Sequence, residues 1–284
     1  MKLLQFLKGG EICLGIQTDK GIIDVAEAAE KLGVQAPKCM KGAIKAGKEG
    51  MQVLEKIEKG AVEFLADVKY APVVTNPEKI MCVGLNYRKH AEETHHAIPE
   101  NPVLFNKFAS SLSANGEEVF LPRAYKEYDY EAELVIVIGK QAKGVSKEEA
   151  KDYIFGFTAG DDLSNRYLQM NRGGQWMIGK ATDGFGPVGP VISTDVDGDN
   201  LDIKCYKNGE LRQNSNTNDL IFNTSHIVSY ISETITLKPG DLIFTGTPNG
   251  VIAGYPADKQ DWLKPGDVIE VELEGIGKLK NIMI

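Results

Sequence analysis

The sequence predicts a mainly β, α+β protein of mixed sheets with helices on the outside, preceded by a small α+β module. Three observations carry that reading. From Lys79 onward short apolar-alternating segments recur, each bounded by Gly, Pro, Asn or Asp. Helical periodicity is confined to a few stretches. The 284 residues suffice for one large domain, or one large and one small, to bury a core without disulfide or metal staples.

Residues 1–72 read as the small module. Strand-like Lys2–Leu7 and Glu11–Thr18 flank Gly9-Gly10, and Gly21–Val25 follows the turn Asp19-Lys20-Gly21. Ile44, Met51, Leu54 and Ile57 then recur at helical spacing among lysines and glutamates. Tyr70–Pro77, with Pro72 and Pro77, reads as a linker to a larger domain over 73–284. There the strand-like segments are Ile80–Gly84, Leu134–Ile138, Val188–Ser193, Leu201–Lys207, Asp241–Thr245 and Val268–Glu274. Asn208-Gly209 marks a hairpin, because both turn positions want positive φ. Lys-Pro-Gly-Asp occurs at 238–241 and 264–267, each time before a strand, as a type II turn centred on proline and glycine would. Helices are expected at Tyr87–His96, at Lys147–Tyr153 after Ser146, and at Ser225–Ser232 after Thr224.

Composition excludes some functions. The net charge of −8 argues against a nucleic-acid partner, which would want a basic face. Cys13, Cys39, Cys82 and Cys205 form no C-x-x-C pair and read as reduced thiols. The start MKLLQFLKGGE lacks the pattern of a signal peptide, and the longest aliphatic run, Leu134–Ile138, is too short to span a bilayer. A cytoplasmic protein without membrane contact is the expectation.

The chemistry is concentrated in a few phrases. In "EYDYEAELVIVIGK", Asp129, Glu131 and Glu133 alternate and so share a strand face that continues into Val135 and Val137. Like charges entering a core raise one another's pKa or need a counter-cation. A second acid pair, Asp161-Asp162, follows the strand-like Ile154–Thr158. Carboxylates with water completing the shell suit a hard divalent cation, and the lack of a histidine among them argues against zinc. In "VGLNYRKHAEETHHAIP", His90 and Glu93 lie three apart on one helix face. A carboxylate beside an imidazole orients it as a general base, although alone the pair also describes an ordinary amphipathic helix. Nothing assigns His95 or His96 a role, and His226 reads as structural. Lys107 and Lys180 stand in loops. Gly184-x-Gly186-x-x-Gly189 mimics a dinucleotide fingerprint but precedes a strand and opens no helix. "FTGTPNGV" lacks the lysine of a P-loop, yet it offers backbone N–H groups and the Thr247 hydroxyl to a carboxylate.

Six phrases occur in an order that resembles the fumarylacetoacetate hydrolase family, over roughly Ile80 to the C-terminus. They are "GLNYRKHAEE", "YEAELVIVIGK", "GFTAGDDLSNRYLQ", "GQWMIGKATDGFGPVGP", "NGELRQNSNTNDLIF" and "PGDLIFTGTPNGV". The resemblance implies the family's β-rich roll, commonly a homodimer. It implies Glu131, Glu133 and Asp162 as ligands of Mg2+ or Mn2+, with Asp129 and Asp161 as neighbours. It implies His90 and Glu93 as a catalytic pair on a lid, Lys180 as a contact to substrate, and Arg166, Gln169 and Thr247 lining the pocket. Three phrases depart from the family: Ser164-Asn165-Arg166-Tyr167, Asp161 before the metal aspartate, and Lys180-Ala181-Thr182-Asp183. "FNKFASS" is more similar to the subgroup linked to oxaloacetate tautomerisation.

The implied activity is divalent-metal-dependent chemistry on short 2-oxo acids through a stabilised enolate, foremost C–C hydrolysis or decarboxylation of acylpyruvate- or oxaloacetate-like substrates. Oxaloacetate keto–enol tautomerisation or hydroxyheptadienedioate isomerisation is the alternative within the family. A non-catalytic, metal-dependent metabolite binder is the alternative of another class.

Overall fold

The computed structural model describes residues 1–93 and 97–284, so His95, His96 and the end of the helix expected at Tyr87–His96 lie outside the described residues. Within them the chain builds the predicted mixed β architecture with peripheral helices.

The main sheet runs, strand by strand, Gly21–Asp24, Glu11–Thr18, Lys2–Lys8, Gly186–Ser193, Ile154–Asp161, Ala132–Ile138, Leu242–Phe244, Ile80–Gly84 and Val103–Lys107. Its centre is Ala132–Ile138, buried at every residue. Alternation divides this strand between two apolar layers. Leu134, Ile136 and Ile138 face a second sheet built from Asp202–Lys207, Glu210–Asn216, Val268–Leu273 and Gly277–Met283. Val135 and Val137 join a layer that holds Ile44, Leu54 and Ile57 from the helix Met40–Gly60. The helical stripe read in the N-terminal module thus covers the other face of the sheet, and both faces are kept from water. Lys69–Ala71 pairs antiparallel with the first strand.

Turn chemistry follows the residue types. Asn208 and Gly209 take φ values of 53° and 82°, as a two-residue hairpin turn requires. In both Lys-Pro-Gly-Asp turns the aspartate carboxylate accepts the lysine N–H, Asp241 at 2.8 Å and Asp267 at 3.1 Å.

Helix ends differ from expectation for local reasons. Thr224–Thr234 is capped by Asn223, whose side chain accepts the His226 N–H at 2.9 Å. The segment expected as a helix over Lys147–Tyr153 closes only into a 3-10 turn at Ala150–Tyr153. Two short helices, Arg166–Asn171 and Met177–Lys180, carry no apolar periodicity to announce them. Asn165 starts the first by accepting the Leu168 N–H at 2.9 Å.

Candidate active site

Strand directions bring the chemical phrases to one edge of the main sheet. Ala132–Ile138 begins there, and its antiparallel neighbour Ile154–Asp161 ends there, with Ala132 opposite Asp161. Asp162 N–H donates to the Glu131 carbonyl at 2.9 Å, which sets the two acids side by side. Leu242–Phe244 and Ile80–Gly84 run parallel and deliver Thr245–Thr247 and Gly84–Asn86 to the same edge. Asn86, fully buried, ties these ends together. Its amide donates to the carbonyls of Thr245 at 2.7 Å and Phe222 at 3.0 Å.

Glu131, Glu133 and Asp162 are buried, and one carboxylate oxygen from each lies within 4.8 Å of the others. Hard oxygen donors at this spacing, without thiol or imidazole, fit a divalent cation. Opposite ligands of an ion bound at about 2.1 Å are about 4.2 Å apart, so small side-chain adjustments close the set. The acids have protein counter-charges as well. Lys180 Nζ stands 2.6 Å from Glu131 and 3.0 Å from Asp162. Arg166 reaches Glu131 at 2.7 Å, and Lys107 reaches the other Asp162 oxygen at 2.6 Å. Burial opposes the Glu131 charge, but Lys180, Arg166 and His90 outweigh it and hold the carboxyl down at about 2. Glu133 receives only the Gly246 N–H, at 2.8 Å, among the described residues. Burial, with the Asp162 and Glu131 charges adding to it, pushes its carboxyl well above the usual range. Gly246 is required for that bond: φ is +102°, and a Cβ would stand 2.7 Å from the Asn86 Cβ.

His90 Nδ1 lies 2.9 Å from Glu93 Oε1 on the helix Arg88–Glu93. The Glu93 carboxylate also accepts the Gly250 N–H, at 3.0 and 3.1 Å to its two oxygens. The loop after Phe244 is fastened a second time by Asp129, which accepts the N–H groups of Ile252 at 2.8 Å and Ala253 at 3.1 Å while pairing with Arg166 at 2.8 Å. Arg166 in turn donates to the Gln169 amide oxygen at 3.0 Å.

One cavity of about 520 Å³ gathers these groups. His90, Glu93, Glu131, Glu133, Arg166, Gln169, Lys180 and Thr247 all line it, with Asp162 buried behind. The structure therefore brings together the nine residues singled out in the sequence.

Sequence reasoning missed three participants. Lys107, buried, donates to the carbonyls of Phe185 at 2.8 Å and Lys180, besides pairing with Asp162. Gln213 accepts the Ala132 N–H at 2.9 Å and donates to Thr247 Oγ1 at 2.9 Å, bridging the acid strand to the loop. Asp129 anchors rather than idles. Gln213 stands among polar neighbours, Arg212 and Asn214, and Lys107 follows Asn106, so neither carried a local signal.

Comparison with known proteins follows this geometry. The family model "Fumarylacetoacetate (FAA) hydrolase C-terminal" matches residues 79–284. A fumarylacetoacetate hydrolase domain-containing protein 2 homolog of Dictyostelium discoideum is 46% identical over 224 residues, covering 74% of this chain and 72% of the relative. A mitochondrial oxaloacetate tautomerase of Xenopus laevis is 37% identical over 294 residues, covering 100% of this chain and 90% of the relative. The structure of a fumarylacetoacetate hydrolase from psychrophilic Exiguobacterium antarcticum superposes with a TM-score of 0.84 at 31% identity, covering 100% of this chain and 99% of that one.

The similarity to a mitochondrial enzyme overturns the cytoplasmic expectation. Composition and thiol usage report solubility and redox poise, whereas an organelle address is a receptor-read signal that neither contains. No helix among the described residues is long and apolar enough to cross a membrane.

Proposed function

The chain belongs to the fumarylacetoacetate hydrolase family, and from that premise we propose that it is a divalent-metal-dependent enzyme that interconverts the keto and enol forms of oxaloacetate. One observation carries the reading: an oriented His90–Glu93 pair shares a cavity with Glu131 and Glu133 of the acid triad, on a chain that aligns along its whole length with an oxaloacetate tautomerase. This favours tautomerisation over the hydrolysis or decarboxylation that the motifs first suggested.

Glu131, Glu133 and Asp162 would hold the cation, magnesium or manganese by their oxygen donor set. When bound, such a cation supplies Lewis-acid stabilisation of the negative charge that develops on the 2-oxo oxygen. His90 moves the proton at C3, with Glu93 fixing the ring through Nδ1–H and supporting its positive charge. The proton leaves C3 and one is returned to the 2-oxo oxygen, so composition and oxidation state are unchanged. Lys180 offsets the charge that builds on the substrate, at a position its two carboxylate partners fix. Arg166 holds the Gln169 oxygen, which leaves the Gln169 NH2 to donate to a substrate carboxylate. Gln213 donates to Thr247 Oγ1, which leaves the Thr247 O–H to do the same.

A second reading, hydrolysis of a C–C bond with His90 activating water, is favoured by the likeness to the Exiguobacterium antarcticum hydrolase. Ultraviolet absorbance of enol oxaloacetate separates the readings when combined with assay of pyruvate. The expected result is faster loss of the enol with protein and Mg2+ and no added pyruvate. His90→Ala should abolish this while Mn2+ affinity is retained. Pyruvate formation would establish cleavage, and no effect on oxaloacetate or on a panel of acylpyruvates would make the protein a metabolite binder.

A further inference from the structure

The cavity is chemically divided, and its outer part does not match a second carboxylate. At the inner end stand the acids and their cations. Arg166 and Lys180 are the arginine and lysine among the described lining residues, and acids at that end hold both. Outward from Lys180 the wall turns aromatic. Lys180 Nζ lies 5.4 Å from the Phe105 ring centre, and the Trp176 ring meets Phe105 edge-on at 5.5 Å, one ring further out.

The indole is seated firmly. It lies against the Gly84 backbone so closely that a Cβ there would stand 2.3 Å from the ring. Gly84 ends a parallel strand of the central sheet, so the seat is rigid. Met170 is a further apolar residue of the lining. A cavity of about 520 Å³ is of a size that takes drug-sized ligands, far more than a four-carbon diacid fills. Space, apolar walls and the absence of an uncommitted lysine or arginine among the described lining residues fit an uncharged tail.

We propose that the Phe105–Trp176 wall fits this site to 2-oxo acids bearing an aryl or other apolar substituent at C3, with Trp176 as the specificity-determining residue. The inference rests on the tautomerase reading for its chemistry, but not for binding. The 2-oxo acid end sits among the acids and their cations, and the tail stacks edge or face against the indole. An aromatic contact of this kind, with the area it covers, is worth about tenfold in affinity.

The test compares phenylpyruvate with oxaloacetate on the Mg2+-loaded protein, by enol absorbance for turnover and by calorimetry for binding. In the wild type, phenylpyruvate should be bound and tautomerised. Trp176→Ala should lower the phenylpyruvate-to-oxaloacetate ratio of kcat/KM about tenfold, chiefly through KM, and Trp176→Phe should restore part of it. Gly84→Ala, which keeps the indole but forces it off its seat, should lower the same ratio. Oxaloacetate turnover without binding or turnover of phenylpyruvate overturns the inference and leaves the tautomerase reading intact. A ratio unchanged within twofold in all three variants also overturns it. Trp176-dependent binding of phenylpyruvate by a protein that tautomerises neither acid upholds the pocket assignment and rejects the activity.

Discussion

Replacing Lys107 by methionine tests how the acid triad is sustained in the interior. The substitution keeps an unbranched side chain one heavy atom shorter and removes one ammonium. That ammonium pairs with Asp162 at 2.6 Å, both side chains being fully buried, and donates to the Phe185 carbonyl at 2.8 Å. Breaking a buried pair by deleting one partner costs about 3–5 kcal/mol. Lys180, still 3.0 Å from the other Asp162 oxygen, pulls the figure toward the lower end. The carbonyls of Phe185 and Lys180, orphaned together, pull it back up by at least about 1 kcal/mol. A net loss of about 4 kcal/mol follows from these two corrections. At about 2.1 cal/mol/K per residue, a chain of this size has an unfolding entropy near 0.6 kcal/mol/K, so the melting midpoint should fall by about 7 °C. Mg2+ should recover more stability in the variant than in the wild type, because Asp162 has lost a competing cation. A tenfold gain in affinity would add about 1.4 kcal/mol. Urea unfolding of both proteins, with EDTA and with saturating Mg2+, measures all of this. A loss below about 1 kcal/mol, or identical Mg2+ effects, would refute the idea that Lys107 balances the triad.

Two further outcomes follow from neighbouring residues. Burial is the main cause that raises Asp161, from an ordinary value of 3.8 up to about 7, with the Asp162 and Glu131 charges adding to it and the Glu131 N–H opposing. The folded protein thus binds this proton more tightly than the unfolded chain does, so its contribution to stability is complete below pH 3.8 and is lost as pH rises through about 7. Asp161→Asn, whose amide oxygen can still accept the Glu131 N–H, should flatten that dependence in EDTA; an unchanged slope between pH 4 and 8 counts against it. Gly250→Ala forces a Cβ to 2.3 Å from the Arg212 carbonyl at a φ of +102°. It should shift the N–H that Glu93 accepts and lower kcat at least about tenfold with Mn2+ affinity kept, reflecting about 1–3 kcal/mol of backbone strain. Wild-type turnover in that variant would show that the loop does not position the His90–Glu93 pair.

What the sequence made legible was governed by short-range rules. The alternation of Glu131 and Glu133, the proximity of His90 to Glu93, and the hairpin turn at Asn208-Gly209 depend on the local periodicity of strand, helix and turn. The mixed β architecture was legible for the same reason. Lys107, Asn86 and Gln213 were not, because their duties depend on partners far along the chain. Gln213, for example, joins Ala132 to Thr247. The helix Arg166–Asn171 escaped because a single turn and a half, started by one asparagine, has too few residues to show a period. Cellular location was misread because composition carries no address.

The parallel pairing of Ile80–Gly84 with Leu242–Phe244 also bears on how the molecule is made. It joins segments far apart in the chain; the Lys79 N–H meets the Asp241 carboxylate at 2.9 Å across 162 positions. Loop closure over such separations is slow compared with local helix and hairpin formation. During synthesis Glu131 and the strand bearing Glu133 emerge long before Gly246, whose N–H Glu133 accepts. The three acids can therefore meet through the earlier pairing of Ala132 with Asp161, and only the N–H that Glu133 accepts waits for the late closure. A nascent or truncated chain that ends before Leu242 presents the Ala132–Ile138 strand with an open, apolar edge where Leu242–Phe244 belongs, a surface prone to pairing with other chains.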